Sequence, residues 1–202
     1  MRLCSMLLLI AIFISKLSFA QTSSSTFKRF GVIVGGNVSN MNFNKGIPPP
    51  PVVIKAAWKA AITAGFSLQI PLRNKLSIQT EYLYSQVNAE DKSTEIKYFL
   101  NYLSMPVLLK YQLYSNIAVI AGPQAGLLIT AKKKSVGTSS NMTHDTEERS
   151  FGLAAGLEFK VIKDASLNAR YVYGLNHIGI GQRSAVKEFK LEQFQLTVSV
   201  KF

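Results

Sequence analysis

Apolar and polar residues alternate with a period of two along most of the chain after residue 21. Trp58, Ala60, Ile62, Ala64, Phe66, Leu68 and Ile70 are interleaved with Lys59, Thr63, Gly65, Ser67 and Gln69. The last segment repeats the pattern, with Phe194, Leu196, Val198, Val200 and Phe202 set against Gln195, Thr197, Ser199 and Lys201. A period of two places successive side chains on opposite faces of a strand. Eight such segments are predicted, at 30–40, 57–70, 75–87, 97–111, 116–131, 150–161, 165–177 and 190–202. Most exceed the roughly 5–6 residues of an ordinary soluble strand and suffice for the 9–11 or so that cross a bilayer at a tilt.

The connections sort by length. Residues 71–74, 112–115 and 162–164 read as tight turns, whereas 41–56, 88–96, 132–149 and 178–189 are long and polar or proline-rich. Short and long strictly alternate, with both chain ends on the short side. This is the asymmetry of an eight-stranded antiparallel up-and-down transmembrane β-barrel, with short periplasmic turns and longer external loops. A soluble lipocalin-like barrel carries the same alternation with its faces exchanged. Three features favour the membrane. The polar face is rich in small residues such as Gly31, Gly35, Gly65, Gly122 and Gly156, as a narrow lumen requires. Aromatic residues gather at both ends of the apolar face, with Trp58, Tyr84, Phe151 and Tyr173 toward the long loops and Phe30, Tyr111, Phe159 and Phe202 toward the short turns. The chain also ends on the aromatic Phe202 of an alternating strand, which resembles the C-terminal signal read by the outer-membrane assembly machinery.

The first segment is of another kind. Met1 and Arg2 precede an apolar run over 3–14, and Ser18, Phe19 and Ala20 place small residues at the −3 and −1 positions of a cleavage site before Gln21. Residues 1–20 therefore read as a secretory signal peptide and 21–202 as the barrel domain. Lys16 interrupts the run before it reaches the about 20 residues of a spanning helix. The sole cysteine, Cys4, belongs to the leader, so no disulfide framework is expected. The whole chain of 202 residues carries a net charge of +12. Losing Arg2 and Lys16 leaves 21 basic against 11 acidic residues, or +10. This excess would suit nucleic acid, but no binding motif accompanies it and an exported barrel rarely meets DNA or RNA.

The mature chain resembles the Bacteroidetes outer-membrane β-barrel domain, often labelled PorT-like, over about 30–202. The resemblance is carried by GGNVSN at 35–40, GFSLQIPL at 65–72, LSIQTEYLYSQ at 76–86, NYLSMPVLLKY at 101–111, AGPQAGLLITA at 121–131, FGLAAGLEF at 151–159, LNARYVYGLNHI at 167–178 and the closing FQLTVSVKF. It implies a small eight-stranded barrel in the bacterial outer membrane. Some relatives serve secretion and gliding, so a role does not transfer with the fold. Where such relatives often carry a lumenal acid, this chain has Ser104.

Candidate chemistry is sparse. Glu81, Lys110, Glu158, Lys160, Arg170 and Lys201 fall on the inward face. A hairpin centred on Asp164 would set Glu158 opposite Arg170, as an ion path or as a structural lumenal network in which each buried charge persists by pairing. Residues Glu81, Lys110, Glu158 and Arg170 are taken as that network. His144 with Asp145, Glu147 and Glu148 fits no defined metal spacing, and His177 has only Ser184 near it in sequence, so no triad is visible. No catalytic, cofactor-binding or metal residue is expected. Lys132, Lys133 and Lys134 face lipid A or sugar phosphates or are simply solvated, and Pro48 to Pro51 stiffen the first long loop. The reading is a closed-lumen barrel whose external loops meet outer-membrane lipids, lipopolysaccharide or envelope proteins. The rivals are a narrow transporter or secretion or gliding accessory, and a soluble ligand carrier.

Overall fold

The computed structural model describes residues 29–46, 54, 56–91, 95–135, 138–180 and 187–202. The expected signal peptide, the proline run 48–51 and Ser184 lie outside them. Eight long strands close into a ring: β1 (Arg29–Asn42), β2 (Ala56–Arg73), β3 (Leu76–Asp91), β4 (Ile96–Gln112), β5 (Ile117–Ser135), β7 (Arg149–Lys160), β8 (Ala165–Gly174) and β10 (Lys187–Lys201). Every ring contact is antiparallel. β1 closes it by pairing with β2 on one side and β10 on the other, so that Gly35 lies between Thr63 and Thr197. Closure leaves no edge strand among the eight, which spanning by strands requires.

Two short strands were not expected. β6 (Thr138–Asn141) folds back on β5, and β9 (Ile178–Ile180) pairs with the start of β10. Both extend the barrel wall on the long-loop side. A 3-10 turn over Phe43–Lys45 follows β1, and another over Thr143–Asp145 follows β6.

The outward face is apolar and exposed. Val34, Ile62 and Phe66 are 59%, 57% and 53% exposed, and the residues named for the two aromatic belts lie on the same face, Phe159 and Tyr173 less exposed than the rest. A soluble barrel would bury these side chains, so the lipocalin-like rival is set aside. The inward face is tightly packed. A Cβ on Gly65 would run into the carbonyl oxygen of Tyr82, and one on Gly156 into that of Ala169. Glycine is needed at these positions because the neighbouring strand's backbone comes too close for any side chain, a stricter demand than a narrow lumen alone. Thr197 is likewise fully buried beside Gly35.

Candidate functional site

Arg170 on β8 points inward and is almost completely buried. Its Nη1 donates to Oε2 of Glu81 on β3 at 2.7 Å, and its Nε donates to Oε1 of Gln195 on the adjacent β10 at 2.6 Å. Gln79 Nε2 holds the other Glu81 oxygen at 2.7 Å. The pair therefore spans the lumen from one wall to another. Glu158 belongs to a second cluster. Its Oε1 accepts from Lys110 at 2.5 Å and from Lys201 at 2.9 Å, and Lys201 also donates to Gln69 at 3.0 Å. Charges this buried persist only with partners close enough to offset desolvation.

The expected opposition of Glu158 and Arg170 is not found. Across β7 and β8, Glu158 faces Asn168 and Arg170 faces Gly156. Val161 and Ile162 both donate to the Ala165 carbonyl, so the turn is centred one residue before Asp164. Each residue of turn offset moves a cross-strand partner by two. The four sequence-predicted residues thus divide between two clusters, and Lys201 joins the second. Lys160 sits exposed at the rim. With Arg29 and Lys163 it lines a polar vestibule of about 210 Å³ at the short-turn end, along with Lys110, Glu158 and Lys201.

Toward the long loops the inward face changes character. Met41, Val87, Ala89, Tyr98, Leu100, Tyr102, Ala131, Phe189 and Leu191 form a buried apolar core joined by Phe43 of the first 3-10 turn and by Ile178 and Ile180 of β9. The Phe43 ring packs against Phe189 and Tyr98 at centroid separations of 5.5 and 5.8 Å. The turn is tied down from outside, where Lys45 Nζ and Asn42 Nδ2 donate to Oε1 of Glu192 at 2.9 and 3.3 Å. Lys45 also lies 5.0 Å from the centre of the Tyr173 ring. The bond to Glu192 holds the Lys45 ammonium above the ordinary lysine range. Sequence reasoning missed this collar. Its signal is an inverted alternation, as in QVNAE at 86–90, where the apolar residues take the inward places and the polar ones face out.

The remaining candidates do not assemble. His144 lies in the second 3-10 turn and is exposed, and His177 follows the end of β8. Among the described residues no cluster of three or more histidine, cysteine or carboxylate side chains could hold a metal ion. The three lysines divide. A bulge at Ile129, between the Thr130–Asn101 and Leu128–Tyr102 pairs, shifts the phase of β5, so that Lys132 and Lys134 face outward whereas Lys133 pairs with inward-facing Tyr98.

Comparison with known proteins agrees with this architecture. The family model described as "Outer membrane protein beta-barrel domain" matches residues 19–179. No curated protein matches the chain. Among solved structures, Neisserial surface protein A is similar with a TM-score of 0.54 at 17% identity, covering 86% of this chain and 97% of that one. The outer membrane protein AlkL, solved in lipid bilayers, is similar with a TM-score of 0.51 at 12% identity, covering 90% and 93%. At such identities these two speak for the fold alone. With the family match over most of its length and a ring of eight antiparallel strands, the chain belongs to the outer membrane protein β-barrel domain family, and its place is the bacterial outer membrane.

Proposed function

We propose that this barrel is closed to solutes and works, without catalysis, through its external loops and collar, which meet outer-membrane lipids or envelope partners. The observation that carries the reading is the succession of two obstructions in one lumen. The Glu81–Arg170 bridge crosses it within the strands, and the Phe43–Phe189 core fills it toward the loops. An eight-stranded barrel has room for its own side chains and little else. In the same reading residues 1–20 are the removed leader. Phe202, 77% exposed with its backbone nitrogen bonded to the Phe30 carbonyl, is the assembly signal. The motif order at 35–202 supports a PorT-like branch within the family.

The purified protein in planar bilayers is expected to give no steady current. Large, stable open channels in the unmodified protein would overturn the closed lumen and favour a narrow transporter or a secretion or gliding accessory.

A further inference from the structure

We infer that the outward face of β4 and β5, at the long-loop end, holds the phosphates of an outer-leaflet glycolipid such as lipid A. Lys97 stands directly opposite Lys134, and Lys132 stands opposite Phe99, one outward step nearer the membrane. All three lysines are exposed. Like charges directly opposed on one sheet face destabilise it unless an anion lies between them. On its other side Lys97 stands opposite Glu90 of β3, whose carboxylate is bonded to Lys59, so the carboxylate is shared between cations. Lysine ammonium groups act here as point charges for phosphate.

Two further observations identify the anion as a lipid headgroup. The first is height. From the girdle residue Tyr111 to Phe99, β4 climbs about 30 Å, taking about 3.3 Å per residue and a tilt near 40°. The apolar band of such barrels is about 25 Å tall. Phe99 therefore sits at the outer interface and Lys97, Lys132 and Lys134 at or just above it, in the headgroup layer. The second is a neighbouring groove of about 230 Å³, with Lys59 and Lys97 on its walls and Ala60, Asn88 and Phe99 among its lining residues. It offers apolar surface beside the cations, as a molecule with both phosphate and acyl chains requires. Lys133, turned inward by the Ile129 bulge, takes no part.

The inference rests on the long loops facing outside. A cysteine at Ser139, exposed on β6, tests that placement separately through labelling of intact cells by a membrane-impermeant thiol reagent. For the site itself, the single tryptophan, Trp58, adjoins Lys59 and reports binding by its fluorescence. The folded full-length mature protein in micelles is titrated with bisphosphorylated lipid A, with the same lipid stripped of both phosphates, and with phosphatidylglycerol. Wild type is expected to bind the bisphosphorylated form at least about 10-fold more tightly than either of the others, about 1.4 kcal/mol. The K97Q/K132Q/K134Q variant should lose that preference and K133Q should keep it. Equal binding of the stripped lipid by wild type would overturn the site. So would phosphatidylglycerol binding as tightly as lipid A, or K133Q losing as much as the triple variant.

Discussion

The same strands obey opposite rules in the two halves of the barrel. Within the membrane band, the apolar residues of β1 and β10 other than the inward Ile33 face out, and Asn37, Gln195 and Ser199 face in. Beyond the band, on the same strands, Met41 and Leu191 face in and Asn40, Asn42 and Lys190 face out. The difference follows from the medium outside. Against lipid there is nothing to gain by turning an apolar side chain inward, and the polar interior must satisfy itself through bonds such as Arg170 to Glu81 and Gln195. Against water, the inward turn of Met41, Ala89, Tyr98 and Leu191 removes apolar surface from solvent, at about 25 cal/mol per Å². The upper collar becomes the core of a small soluble barrel, with Leu100 and Tyr102 packed beneath it inside the band. The apolar cluster of Leu108, Ile120, Ala154 and Val172 shows that the lower lumen is not uniformly polar.

The largest test strikes the lower half. Arg170→Met leaves the Glu81 carboxylate buried without its cation, a loss of about 3–5 kcal/mol. Pairing it with Glu81→Gln removes the stranded charge and should recover much of that. Urea unfolding in lipid vesicles reads both, and equal stability of the single and double variants would show that the lumen is wet enough to solvate Glu81.

The second test places one substitution on the outward face of each half. Val198→Arg puts a charge against lipid within the band, at about 2–4 kcal/mol near the midplane, whereas Phe99→Arg at the interface costs about 0–1. Equal losses of unfolding free energy would mean that Phe99 lies deeper than its distance from Tyr111 implies. An inward lysine at Thr197 is no mild alternative to Val198→Arg, since Thr197 is packed beside Gly35.

The eight strands were legible because lipid on one side and a narrow lumen on the other enforce a period of two over most of their length. The collar was not, since its inverted phase occupies only the strand ends and reads locally as broken alternation. Nor was the Ile129 bulge, whose extra residue adds no composition signal yet decides which of Lys132, Lys133 and Lys134 face out. The charged lumenal residues were visible singly, but their partners depended on the ring. Glu81 and Arg170 are 89 positions apart, and no turn between neighbouring strands brings them together.

The smallest expected effect concerns the tether that closes the collar. Phe43 is buried, but the turn that carries it is held to β10 through Lys45 and Glu192 at the surface, and the Lys45 side chain remains 45% exposed. Solvent screening limits such a pair to about 0–1 kcal/mol. Lys45→Gln should therefore leave global unfolding nearly unchanged and speed hydrogen exchange at the Gly46 amide, which donates to the Phe43 carbonyl at 3.0 Å, by no more than about 5-fold. The sign with pH follows from the raised amine. Its contribution is fully present below the ordinary lysine value of 10.5 and is lost as pH rises through the higher folded value, so the tether is constant across neutral pH. If exchange at Gly46 instead rose as steeply as in Phe43→Ala, the ion pair and not the apolar core would be what seats the turn, and the collar would owe less to burial than the lower lumen owes to its charges.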